Sequence, residues 1–477
     1  MRIFANRQSC CYMKCILRLI FLPGLLLHAL QAQTLSADSV MIRKMYDLAL
    51  TQGQSYTMLG DLCKTAPHRL SGSPGAAAAV EWARQQALSL GFDTVWLQET
   101  LVPKWVRGTK EYAKIITRHT GGQELNVCAL GGSIPTPIGG MTSQIVEVTQ
   151  FEDLAKLGSN GLKGKWVFFN RPMDPRLIYT FSAYGGCVNQ RVEGADEAAK
   201  YGAIGVIVRS MTLAHDDHPH TGGVIYKDST RRIPAAAIST RDADYLAQLL
   251  RIEPDLSFHL ELNCRMEGDV VSHNVIAEMR GIIHPDEIIL VGGHLDAWDK
   301  GEGAHDDGAG CVHSLEALRI LKTLLPRPSR TLRAVLFMNE ENGLRGGYTY
   351  AAEAGRKQER HLVCIESDRG GFSPRGFHFE AGPDTLNALT PWKHLLEPYG
   401  LHHWTKGGSG ADISPLRGKA LLIGLVPDSQ RYFDFHHADT DVFSSVHKRE
   451  LELGSAAMAA LMYLFCEHGI PPLTQKP

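Results

Sequence analysis

The absences in this chain narrow its function first. Across 477 residues the formal net charge is −2, so neither sign is in excess. That removes the basic footprint of a nucleic-acid binder and the cationic face of a membrane-surface protein. Ten cysteines contain no CxxC pair, and the seven beyond residue 32 are scattered and odd in number. A zinc-thiolate site of ordinary spacing is thereby excluded, and no disulfide is identified. No segment repeats and none is of low complexity. No apolar run is clean enough to span a bilayer: CILRLIFLPGLLLHAL is broken by Arg18, Pro23 and His28. With Lys14 ahead of it and small residues around Ala32 behind it, that stretch reads as an export signal over residues 1–32, with an uncleaved anchor as the alternative. The expected location is periplasmic or secreted.

What is present is a large apolar fraction, 44%, in a chain long enough for two or three domains. Residues 33–110 begin with helices; AAAAVEWARQQALSLGF ends at Gly91. Residues 111–273 change texture to short strands (GKWVFFN, AIGVIVRS, IPAAAIS) between Gly and Pro turns, as in an inserted β-rich module. From residue 274 to 477, strands and helices alternate. EIILVGG and TLRAVLFMNEE read as strands, and DGAGCVHSLEALRILKTLL as a helix with apolar residues at helical spacing. TLNALTPWKHLLEPYG reads as another helix, and residues 447–466 as the closing one. This alternation predicts an α/β sandwich around a largely parallel sheet, with its site at the C-terminal ends of the strands.

Chemistry concentrates at four such ends. GGHLDAWDKGEGAHDDGAG follows the apolar run Ile288–Val291 and packs five carboxylates and two histidines among six glycines. FMNEENG places Glu340 and Glu341 after a strand, CIESDRGG places Glu366 and Asp368 after another, and FDFHHADTD carries His436, His437, Asp439 and Asp441. A lone histidine or a Glu-Glu pair at a strand end is ordinarily a solvated turn. Four clusters at successive ends meet in space, however, and apposed carboxylates without a cation repel one another. The donor set, imidazole and carboxylate only, suits zinc or another borderline divalent ion. A nucleotide loop is the competing reading of the glycines, but Asp306 and Asp307 stand where a helix N-terminus would meet phosphate.

These motifs together resemble those of the co-catalytic dizinc exopeptidases, specifically the plasma glutamate carboxypeptidase (carboxypeptidase Q)-like family. PHRLSGSPG, VPKWVRG, AAKYGAIGVIVRS, PHTGG and IPAAAIS extend the resemblance over the whole chain beyond the export signal. It implies a three-layer sandwich with a mostly parallel mixed sheet, formed by 33–110 and 274–477, interrupted by a protease-associated domain at 111–273. It implies two zinc ions per chain. His294 and Asp368 would hold one, Glu341 and His437 the other, and Asp306 would bridge them through a cis Asp306–Asp307 peptide. Glu340 would be the general base and His436 the donor to the tetrahedral oxyanion. Asp296 would orient the His294 ring through its far nitrogen, and Asp441 would support His437. Val442 stands where the family pattern has Thr, and a one-residue slip would make His436 the ligand.

The resemblance further implies short peptides as substrates, mainly dipeptides with both termini free, and a homodimer. Ser409 in KGGSGAD is a candidate for binding the substrate carboxylate. His220 in HDDHPHTGG either belongs to a solvated loop or leans over the cleft. An aminopeptidase acting on longer peptides, a non-catalytic receptor-like binding protein and a single-zinc aminoacyl cyclase are the alternatives; the last two predict missing ligands, and none is missing.

Overall fold

In the computed structural model, residues 37–118 and 121–472 are described; the expected export signal lies outside them. Among the described residues no helix is long and apolar enough to cross a membrane. Eight strands form a first sheet: β1 (Thr94–Val106), β10 (Arg265–Met279), β11 (His284–His294), β12 (Arg330–Phe337), β13 (Arg360–Glu366), β14 (Pro374–Phe379), β15 (His403–Lys406) and β16 (Leu421–Pro427). Their order is β1-β10-β12-β11-β13-β16-β14-β15. The four central strands, β12, β11, β13 and β16, run parallel, and antiparallel neighbours close both flanks.

The apolar run in β11 has a simple cause. Ile289 and Val291 face one core, under the helices Ala309–Leu324 and Lys448–His468. Leu290 faces the other, with Phe337, Tyr350 and Ala351 of the strand and helix opposite. A strand covered on both faces cannot alternate polar and apolar residues. The result is three layers, helices on each side of the sheet. The helix expected from TLNALTPWKHLLEPYG is instead three short pieces, Pro383–Ala388, Thr390–Leu396 and Glu397–Tyr399. Pro391 and Pro398 lack the N–H that a continuous helix needs.

A second eight-stranded sheet lies between β1 and β10 in the chain. It comprises β2 (Glu111–Ile116), β3 (Gln123–Leu125), β4 (Val127–Ala129), β5 (Met141–Val148), β6 (Trp166–Phe169), β7 (Gly205–Arg209), β8 (Ala235–Ile238) and β9 (Ser257–Leu262). Residues 265–273, read from sequence with the insert, belong instead to β10, where Val271 pairs with Leu101 of β1 in the first sheet. The two units share apolar cores. Trp298 packs with Trp105 and the second sheet's Trp166 cluster, and Phe372, Tyr432, Phe433 and Phe435 pack with Phe169 and Val208. Arg107 pins the seam: it donates to both Asp299 oxygens at 2.9 Å, to Glu111 at 2.9 Å and to Thr221 Oγ1 at 3.2 Å. All seven described cysteines are buried and free.

Candidate metal centre

Each strand end delivers its residue by a specific local device. β11 ends on His294, whose Nδ1 donates to the Asp296 carbonyl oxygen at 2.9 Å. That fixes the tautomer and leaves Nε2 as a lone pair pointing into the site. The expectation that Asp296 orients this ring is met by its backbone, not its carboxylate. The carboxylate turns the other way and accepts from the backbone N–H of Asn339 at 2.6 Å and of Glu340 at 3.0 Å. It therefore positions the turn after β12. Asn339 occupies the left-handed region there, φ 77°, which Asn tolerates better than most residues.

The glycines of the motif have a packing reason. The Asp307 carboxylate accepts from His294 N at 3.0 Å and Gly310 N at 2.8 Å, tying the strand end to the helix start. A Cβ on Gly310 would lie 1.8 Å from the Ser367 carbonyl oxygen, and one on Gly293 would lie 2.4 Å from Asp307 Oδ2. The Asp306–Asp307 peptide is cis. Asp441, expected to support His437, supports Asp306 instead: its two oxygens accept from the backbone N–H of His305 at 2.7 Å and of Asp306 at 3.0 Å.

The histidine pair comes from the loop beyond β16. The His437 ring is held from the second unit, with Nδ1 3.2 Å from the Thr221 carbonyl oxygen and 3.2 Å from the Arg191 guanidinium. Donation to the carbonyl turns Nε2 inward. His436 stacks on His437, with ring centroids 3.5 Å apart. Burial pushes the pKa of His436 down to about 3, so it is a neutral imidazole. His437 is likewise driven well below the ordinary range, chiefly by burial and then by His436 and Arg191.

These groups converge. His294 Nε2 lies 3.2 Å from Asp306 Oδ1 and 3.5 Å from Asp368 Oδ1. His437 Nε2 lies 3.4 Å from Asp306 Oδ2 and 3.2 Å from Glu341 Oε2. His436 Nε2 is further from Asp306, at 3.8 Å. The possible ligand atoms of His294, Asp306 and Asp368 all lie within 4.8 Å of one another, as do those of Asp306, His436 and His437. Between the two histidines of the pair, only His437 also approaches Glu341 within ion-pair distance, which favours it over the slipped register.

Lone pairs facing carboxylates across such gaps repel unless a cation lies between them. Ligands at about 2.0–2.1 Å around a tetrahedral ion stand about 3.3 Å apart, the spacing found here. Asp306 Oδ2 is buried with no hydrogen-bond partner among the described residues. A cavity of about 10 Å³, lined by Asp306, Glu341, His437 and Asp441, is the size of one small ion or water. Where only protons compete, the site shows the same demand for positive charge. Burial disfavours the His294 cation, but Asp306 and Asp368 outweigh it and hold its pKa well above the ordinary value. Burial, then Asp306, lifts Glu341 well above the carboxylate range. Glu340 is pushed up to about 8, first by burial and then by neighbouring carboxylates such as Asp368. The residues thus fit divalent cations, with Asp306 common to both donor clusters.

Glu340 faces a cleft of about 1010 Å³ between the two units, shared with Asp368, His436, Tyr184 and Arg191. Two expected substrate residues are elsewhere. Ser409 is buried, and its hydroxyl donates to Glu380 Oε1 at 2.8 Å, so it cannot meet a substrate carboxylate. His220 neither sits in a solvated loop nor leans over the cleft. It is buried behind the histidine pair, its Nδ1 donating to the His436 carbonyl oxygen at 2.7 Å. Sequence reasoning missed Arg191 altogether and gave no role to Arg69. The Arg69 side chain, fully buried, donates to the carbonyl oxygens of Leu295 at 2.6 Å and Gly303 at 2.7 Å and so shapes the loop between His294 and Asp306. An arginine inside PHRLSGSPG was the only signal for it.

Known proteins carry the same organisation. Residues 274–462 match the model of peptidase family M28. Carboxypeptidase Q of Mus musculus is 32% identical over 417 residues, covering 87% of this chain and 86% of that protein. The crystal structure of a peptidase M28 precursor from Shewanella amazonensis superposes with a TM-score of 0.87 at 33% identity, over 93% of this chain and 100% of that one. A zinc aminopeptidase from Bacillus subtilis shares the fold at 18% identity, with a TM-score of 0.62, over 90% of this chain and 97% of that one. This chain belongs to peptidase family M28, as a metallopeptidase related to carboxypeptidase Q.

Proposed function

We propose that the protein is an exported dizinc exopeptidase that hydrolyses short peptides from a free N-terminus, dipeptides foremost. The observation that carries this reading is the arrangement around Asp306: two inward imidazole nitrogens and the carboxylates of Asp306, Glu341 and Asp368 at tetrahedral ligand spacing. His294 and Asp368 would hold one zinc, Glu341 and His437 the other, with Asp306 shared. When bound, such a pair supplies Lewis-acid polarisation of the scissile carbonyl and a water that loses its proton near neutrality.

The chain's own groups do the rest. Glu340, its backbone fixed by Asp296, takes the proton from the attacking water and delivers it to the leaving nitrogen. His436, neutral and facing the cleft, donates an N–H to the oxyanion. The carboxylates of Glu340 and Asp368 favour a substrate ammonium, which supports cleavage at a free N-terminus. Residues 1–32 support export, and the second unit reads as a protease-associated domain that walls the cleft. A homodimer follows the family resemblance.

Elemental analysis giving two zincs per chain, with turnover of free dipeptides that stops on chelation and returns with zinc, is the expected result. Turnover unaffected by chelation would overturn it. A second reading, aminopeptidase action on longer peptides, has one observation in its favour: a cleft of about 1010 Å³ exceeds the needs of a dipeptide. Turnover of Ala-Ala against Ala-Ala-Ala-Ala separates the two.

A further inference from the structure

The cleft is electrically divided. Its carboxylates, Asp306, Glu340, Glu341 and Asp368, all come from the first unit. Its lining also includes three arginines and no lysine. Two of the three are committed. Arg191 donates to Tyr184 Oη at 2.8 Å and lies against the His437 ring, and Arg345 donates to Asp269 at 2.6 Å and to the Leu101 carbonyl oxygen at 3.1 Å. Arg232, on the second unit's wall, has neither ion pair nor hydrogen-bond partner among the described residues. Its guanidinium lies over the Tyr226 ring, Cζ 5.9 Å from the centroid. Tyr226 is in turn fixed by its hydroxyl, which donates to the Ile233 carbonyl oxygen at 2.6 Å. A guanidinium resting on an aromatic face keeps its edge donors free and is partly ordered in advance, the arrangement suited to a bidentate carboxylate.

We propose that Arg232 binds a carboxylate of the peptide substrate, so that the first unit receives the ammonium end and the second unit the acidic end. This rests on the peptidase reading and gives it a specificity determinant, replacing Ser409 in that role. The carboxylate has two possible sources, the peptide's C-terminus or an acidic side chain, which share the same chemistry.

The test pairs a substrate change with a protein change in the zinc-loaded protein, using Ala-Ala, Ala-Ala-amide and Ala-Glu-amide. Arg232→Gln is expected to raise KM for Ala-Ala about tenfold, the scale of a lost charge-assisted hydrogen bond, with kcat little changed. The same substitution should leave KM for Ala-Ala-amide unchanged, because the carboxylate is already gone, and Arg232→Lys should recover part of the loss. Dependence on Arg232 for Ala-Glu-amide rather than Ala-Ala assigns the site to an acidic side chain. Equal effects of Arg232→Gln on all three substrates, or none on any, would overturn the proposal while leaving the peptidase reading intact. A wild-type protein that turns over none of the three sinks the peptidase reading itself, and the inference with it.

Discussion

Strands β11, β12 and β13 of the first unit run out into His294, Glu340–Glu341 and Asp368, while the second unit places no carboxylate in the cleft and reaches the first unit's histidines through its loops. Its contributions are a carbonyl from Thr221, the guanidinium of Arg191 and the His220 ring behind His436. One unit supplies the carboxylates, and the other supplies arginines and sets the orientation of the last imidazole. The difference follows from topology. Parallel strands bring residues far apart in sequence to one edge, whereas an inserted unit docked over that edge reaches it only through loops.

The sharpest way to separate supply from support is Glu340→Gln. It keeps the shape and removes the proposed base, so kcat should fall by about 10²–10⁴ with metal content unchanged. Steady-state kinetics with elemental analysis checks it, and unchanged turnover would move the base elsewhere. Next in size is the seam. Arg107→Met leaves the half-buried acids Asp299 and Glu111 without their shared partner, and stability should drop by about 3 kcal/mol, read from urea unfolding. If the midpoint does not move, the two units do not depend on that contact.

Acid should then weaken the grip from the second unit. His220 is buried and neutral, its pKa pushed from 6.5 down to about 4 mainly by burial. The unfolded chain takes up a proton below pH 6.5 and the folded one only near pH 4, so stability is complete above 6.5 and declines as pH falls toward 4. Between pH 7 and pH 5 the loss assignable to His220 is about 2 kcal/mol. His220→Asn keeps an N–H for the His436 carbonyl and does not titrate, so its stability should fall less over that interval; an identical decline would remove His220 from the account. The smallest effect expected is that of Arg191→Met. The His437 ring keeps the Thr221 carbonyl but loses its neighbouring cation, and zinc affinity should change by about tenfold, measured by competition with a chelator.

The same division decides what could be read from sequence. The parallel sheet was legible because His294, Glu340–Glu341 and Asp368 each follow an apolar run that has to be a buried strand, and because the helical spacing in residues 309–324 fixes what comes next. Asp296 was placed correctly, but sequence does not say whether a residue acts through its carbonyl or its carboxylate, and here it is the carbonyl that meets the ring. Asp441 was assigned to His437 on a spacing of four, but the fold carries it across to the Asp306 backbone. Ser409 failed because a glycine-rich loop looks the same whether its hydroxyl faces solvent or, as here, Glu380. Arg191 left no trace, since a single arginine in NQRVEGADEAAK has no periodicity and the imidazole it meets is 246 residues away in the chain.

One contact sets an order of events for the growing chain. The Thr221 carbonyl and the imidazole it steadies are 216 positions apart, and that imidazole is the last in the chain of the five side chains proposed to hold metal. A polypeptide still on the ribosome, or one cut short before residue 437, carries Glu340 and four of the proposed chelating groups but lacks His437. On the proposed assignment, hydrolytic competence would therefore arrive late, with the docking of the segment that carries His437.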